Sequence, residues 1–203
     1  MDEKVYGHFR RMIQQYLEEL RTNENKNPFL LWTETDVQSY LYHRLVSDPQ
    51  IEKAFAVLNR PVLSSVNPDK KYKGKAKNVK PFYQPDLLIT PLKNLQIEKR
   101  KNKPRLERRI KLLRKDDSII VEIKFVQDTN DSTGRKSVTK LTELAEDYKK
   151  NRTEGHKHII LIFVEKGDES YLSKGDINRM SRYQDALVMY KHKKSLFDQL
   201  GPK

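Results

Sequence analysis

Ser118-Ile119-Ile120-Val121-Glu122-Ile123-Lys124-Phe125 reads as a β-strand, because β-branched and apolar residues dominate it and Asp116-Asp117 mark its start. Glu122 and Lys124 stand two apart, so a strand turns both to one face, together with Ile120 and Ser118. The opposite face carries Ile119, Val121, Ile123 and Phe125, an unbroken apolar row. A carboxylate and an ammonium side by side on a strand that is buried behind them suggest a site. The plainer reading is an exposed same-face ion pair, worth roughly 0–1 kcal/mol.

Working outward, the 203-residue chain has the length of one domain with a sizeable core. It divides into an N-terminal helical extension (1–30), a body, and a basic insert (91–117). A formal net charge of +13 favours a polyanionic partner, nucleic acid above all, over charge that serves solubility alone. With no cysteine, disulfides, thiolate catalysis and cysteine-ligated zinc are excluded. The histidines offer no convincing zinc set: His156 and His158 are close, but no third ligand is evident. Met1-Asp2-Glu3-Lys4 lacks the apolar core of a signal peptide, and the apolar run 159–164 is too short to span a bilayer. A cytoplasmic protein that works on nucleic acid, without a membrane, is the expectation.

Residues 4–21 predict a helix, with Val5, Phe9, Met12, Ile13, Tyr16, Leu17 and Leu20 on one stripe. That stripe either packs on the body or contacts a partner. Thr33 and Asp36 resemble a capping box opening a second helix, whose buried stripe is Val37, Leu41 and Leu45. Glu34 lies on the inward side of that helix; it is either part of a site or a carboxylate favouring the helix dipole. Residues 49–66 are mixed: 55–58 read either as a strand or as the end of a short helix, and 61–66 as a strand. Residues 67–80 form a lysine-rich loop, including Lys71, Lys73, Lys75 and Lys77, suited to phosphates. Pro85 can open a strand over 86–90, where Asp86 is unusual, since Asp is depleted in strands. The insert carries Lys99, Arg100, Lys101, Lys103 and Arg105 and is either a basic amphipathic helix or a long hairpin. Ser137 is expected to cap a helix running to Asn151, with Val138, Leu141, Leu144, Ala145 and Tyr148 inward. Residues 158–165, apolar on both faces, predict a central strand. A short helix over 174–182 and a strand over 186–190 follow.

Pro85-Asp86 followed by Glu122-Ile123-Lys124 resembles the motif of the PD-(D/E)XK nuclease superfamily, the restriction-endonuclease-like fold. The resemblance spans residues 33–164, with the elements in the family's order. It implies an α/β fold: a central mixed β-sheet flanked by helices on both faces. Phosphodiester hydrolysis needs a positioned water and a hard cation with oxygen ligands. Asp86 and Glu122 would supply two carboxylates from adjacent strands. The resemblance adds the Ile123 carbonyl and Glu34 as further metal ligands. Lys124 would orient or help deprotonate water and stabilise the pentavalent phosphate.

The leading expectation is therefore a Mg²⁺-dependent endonuclease (Mn²⁺ also serving) that hydrolyses DNA, with Glu34, Asp86, Glu122 and Lys124 as its catalytic residues. A homodimer is expected by analogy, because cutting both strands of a duplex takes two active sites. Two alternatives stand beside it: a catalytically silent DNA-binding module, and a nuclease subunit of a larger transposition, defence or repair assembly. For the last, the stripe of residues 5–20 is the candidate contact surface. No phosphate-binding G-x-x-x-x-G-K-[ST] loop is present, so no nucleotide-driven motor is indicated.

Overall fold

A computed structural model describes residues 1–26, 33–59, 62–64, 82–83, 85–99, 108–127, 135–166, 172–183 and 185–191. Helix α1 spans Glu3–Lys26. Its first turn is held by Asp2, whose carboxylate accepts the Val5 N–H at 2.8 Å. Its apolar stripe is core: Phe9, Ile13, Leu17 and Leu20 are at most 3 % exposed. The expectation that this stripe offers a contact surface for an assembly is thus corrected, because the chain itself buries it. Helix α2 spans Glu34–Val46 and opens on the expected capping box, with the Thr33 side chain accepting from the Asp36 N–H and the Asp36 side chain from that of Thr33. Val37, Leu41 and Leu45 face inward, as their spacing demands. Helix α3, Pro49–Ala54, runs directly into strand β1, Phe55–Leu58.

The main sheet has five strands in the order β1-β4-β7-β8-β9. Strand β4 is Leu87–Pro91, β7 is Ile119–Gln127, β8 is His158–Lys166 and β9 is Leu187–Lys191. Strand β4 runs antiparallel to both its neighbours, β1 and β7, whereas β7, β8 and β9 run parallel. The sheet is therefore mixed. Each parallel step needs a crossover: α4, Arg135–Thr153, links β7 to β8, and α5, Lys174–Met180, lies between β8 and β9. One apolar cluster joins α1, α2 and α3 to one face of the sheet. A second joins α4 and α5 to the other. The chain is thus an α/β protein whose mixed sheet carries helices on both faces.

Two expectations change here. Ser137 does not cap α4. It lies inside the helix, buried, and donates its hydroxyl to Glu165 at 3.0 Å. The insert resolves to the hairpin reading: β5, Leu95–Lys99, pairs antiparallel with β6, Arg108–Leu112. That hairpin belongs to a second sheet, ordered β3-β2-β6-β5, with β2 at Val62–Ser64 and β3 at Phe82–Tyr83. Buried Asn94 fastens the hairpin to the main sheet. Its side-chain NH₂ lies 2.8 Å from both the Thr90 hydroxyl and the Arg114 carbonyl, and its oxygen accepts the Arg114 N–H at 2.8 Å.

Candidate active site

The site forms where a short strand stops beside a long one. Strand β4 begins at Leu87, opposite Val121, whereas β7 continues to Gln127. Pro85, which lacks an N–H, and the bend at Asp86 end the pairing. The Asp86 carboxylate takes over from the ladder: its Oδ2 accepts the Ile123 N–H at 2.6 Å. A residue's N–H and C=O leave a strand on the same edge, so the Ile123 carbonyl also emerges on this side. Two residues on, the Phe125 N–H bonds the Glu34 carboxylate. Glu34 reaches it from the first turn of α2, and one helical turn later Gln38 donates its amide to the Asp86 carbonyl at 2.5 Å. The end of α2 is thereby fixed over the open edge of β7.

Glu122 and Lys124 lie on the face of β7 that α4 covers. Asn151 donates to Glu122 Oε1 at 3.0 Å, and Lys124 Nζ lies 3.3 Å from Asp147 Oδ2. The structure therefore brings together all four residues expected from the sequence and adds Asp147, Asn151 and Gln38. Sequence reasoning missed these three. The signal for two of them is present, since Leu144, Asp147 and Asn151 share one stripe of α4 at i, i+3, i+7. Lys140 continues that stripe toward the N-terminus and acts electrostatically on Glu34.

The electrostatics follow from burial and crowding. Burial, reinforced by Asp86 and Asp147 and opposed by the Asn151 hydrogen bond and Lys124, raises the Glu122 carboxyl to about 7. Burial likewise raises Asp86, opposed by the Ile123 N–H and Lys124. Glu34 is raised by burial and by Asp86, opposed by Lys124 and the Phe125 N–H. For Lys124, burial pulls downward, but Asp147, Glu34 and Asp86 together outweigh it, and its pKa ends up raised. Lys124 is accordingly an ammonium at neutral pH, acting on four carboxylates.

Among the described residues, no three carboxylate or histidine groups stand close enough together to form a ready cage for a metal ion. Asp86 is turned to Ile123 and Glu122 to Asn151. The donor chemistry nevertheless suits a hard cation: the groups are oxygens, the carboxylates repel one another, and one ammonium offsets only part of their charge. Of the expected nucleic-acid-binding residues, Lys99 ends β5. Lys71, Lys73, Lys75, Lys77, Arg100, Lys101, Lys103 and Arg105 lie outside the described residues. Among the described residues, no helix is long and apolar enough to cross a membrane. Comparisons with protein-family models, characterised proteins and solved structures return no match, so the site stands on its own geometry.

Proposed function

We propose that this chain is a divalent-metal-dependent deoxyribonuclease of the PD-(D/E)XK, restriction-endonuclease-like class. One observation carries the reading: Asp86, just before β4, Glu122 on β7 and Glu34 on α2 are all half-buried within electrostatic reach of Lys124, and Asp86 acts on both other carboxylates. Asp86, Glu122 and the Ile123 carbonyl would hold Mg²⁺, with Glu34 beside them. When bound, the ion would supply positive charge to the scissile phosphate and lower the pKa of water.

The chain's own residues do the rest. Asn151 fixes the Glu122 carboxylate, and the Ile123 N–H fixes that of Asp86, so both oxygen donors are oriented before a ligand arrives. Lys124, kept charged, donates N–H bonds to a phosphoryl oxygen as negative charge grows, and it positions the attacking water. Of the two roles expected for it, charge stabilisation fits its raised pKa and proton abstraction does not. The basic composition draws in the polyanionic substrate.

The test is cleavage of supercoiled, linear and branched DNA by purified protein with Mg²⁺ or Mn²⁺. Asp86→Asn keeps an acceptor for the Ile123 N–H, and Lys124→Met keeps the stem, so both should fold. Both should lose cleavage. Cutting at the wild-type rate by either variant, or none by the wild type, would overturn the proposal. The second reading is a DNA-binding module without catalysis, for which the basic composition alone would suffice. Calorimetric Mg²⁺ titration separates the two, since only the nuclease should bind the ion and lose it on Glu122→Gln.

A further inference from the structure

Helix α4 meets the charged face of β7 through two polar pairs. Asn151 donates to Glu122 Oε1 at 3.0 Å, and Lys124 Nζ lies 3.3 Å from Asp147 Oδ2. The spacings match. Two residues along a strand advance about 6.6 Å and four along a helix about 6 Å, so a helix running back over β7 meets Glu122 and Lys124 together. The Lys124 and Asp147 side chains are only 15 % and 28 % exposed, so water screens this pair less than a surface bridge. Among the described residues, Asp147 is the one carboxylate within 4.0 Å of the Lys124 nitrogen. Glu34, Asp86 and Glu122 act on that ammonium from farther away. The three carboxylates offered to a cation are thus the ones that Lys124 does not bond.

That division has a chemical use. An ammonium bonded to Asp86 or Glu122 would occupy the oxygen lone pairs that a hard cation needs. An ammonium has three N–H donors, so one bond to Asp147 leaves two for a phosphoryl oxygen and a water. We infer that Asp147 is a positioning residue: its carboxylate holds Lys124 off Glu34, Asp86 and Glu122, so that their oxygens stay open to the cation while the ammonium stays beside them. The inference rests on the nuclease reading for the identity of the cation and the phosphate. Without the Asp147 charge, Lys124 turns to the acids that remain. Glu122 is the first of these, two residues away on the same face of β7. The effect of Asp147 on the cation therefore runs through Lys124, which separates it from an acid that attracts the cation by its own charge.

The experiment is a calorimetric Mg²⁺ titration of the full chain without DNA, on wild type, Asp147→Asn, Lys124→Met and the double variant. Asp147→Asn keeps the shape of the side chain and removes its charge. With Lys124 present it should weaken Mg²⁺ binding by about 10- to 100-fold. In the Lys124→Met background the same change should cost at least about fivefold less, because no ammonium is left to fall onto the ligands. Losses more alike than that overturn the inference, since Asp147 would then act on the cation directly, and so does no loss in either background. At saturating Mg²⁺, Asp147→Asn should lower kcat for DNA cleavage by about tenfold or more and leave KM within about twofold; a wild-type kcat overturns the positioning role. The expected coupling in a wild type that binds Mg²⁺ and never cuts would sink the nuclease reading and leave the role of Asp147 toward the cation standing. A wild type that binds no Mg²⁺ overturns both.

Discussion

Replacing Glu122 with Gln should make the metal-free protein more stable, by an amount that grows as pH rises from about 5 to 8. In the fold the Glu122 carboxyl sits at about 7 against an ordinary 4.5, chiefly because it is buried. Its stabilising contribution as a raised acid is complete below pH 4.5 and is lost as pH rises through 7. At about 1.36 kcal/mol per pH unit, the ceiling on the loss is about 3.4 kcal/mol. Gln has the same shape, and its carbonyl can still accept from Asn151, so the variant removes the charge and little else. For a chain of this size, 1 kcal/mol moves Tm by about 2–4 °C, which puts the ceiling at about 7–14 °C. The assay is thermal unfolding of both proteins in EDTA from pH 5 to pH 9. The difference in Tm, variant minus wild type, should be small at pH 5, climb between pH 5 and 8, and then level off. A difference that is flat with pH, or that falls as pH rises, would refute the reasoning, because it would mean that Glu122 ionises in the fold as readily as in the unfolded chain. Adding Mg²⁺ should raise the wild-type Tm at pH 8 and leave that of Glu122→Gln unmoved.

Two further outcomes are expected. His156 is buried, with Nδ1 at 3.2 Å from the Lys115 carbonyl oxygen; burial, and then the Lys115 charge, lower its pKa to about 4. As a lowered base it contributes stability that is present above pH 6.5 and lost as pH falls through 4, with a ceiling of about 3.4 kcal/mol. An NMR titration should show the His156 ring changing charge near pH 4, and a midpoint above 6 would contradict the burial. Leu20→Ala, in the stripe of α1 packed into the core, should cost about 2–5 kcal/mol in denaturant unfolding; a loss under about 0.5 kcal/mol would mean that α1 is a detachable arm.

The local chemistry was legible in the sequence and the long-range pairing was not. The capping box at Thr33, the apolar row of β7 and the two-faced apolar β8 each follow from a short window of residues. A strand within 61–66 was legible too, and β2 lies there, but its pairing was not: segments of three and two residues carry no register, and β2 finds its parallel partner β6 far along the chain. Ser137 failed as a cap because a hydroxyl near a helix start serves the first turn or a buried carboxylate equally well, and Glu165 was out of view. Asp147 and Asn151 were hidden differently. The stripe of α4 shows which residues face inward but not which strand lies beneath them. Only the parallel pairing of β7 with β8 sets α4 over Glu122 and Lys124.

The candidate site itself follows from a mismatch in strand length. Had β4 continued past Asp86, its backbone would have satisfied the Ile123 and Phe125 N–H groups, and the edge of β7 would have been closed. Pro85 cannot donate to that ladder, so β4 stops and two orphaned donors remain at half-buried positions. The Asp86 and Glu34 carboxylates bond those donors, and from there Asp86 raises the cost of ionising both Glu34 and Glu122. The same backbone geometry that interrupts the sheet thus concentrates negative charge around Lys124 and leaves the Ile123 carbonyl on the open edge. A fold that only needed these donors satisfied could have used neutral Asn and Gln, without the mutual repulsion. The choice of acids where amides would serve the fold better is the strongest physical reason to expect a cation there.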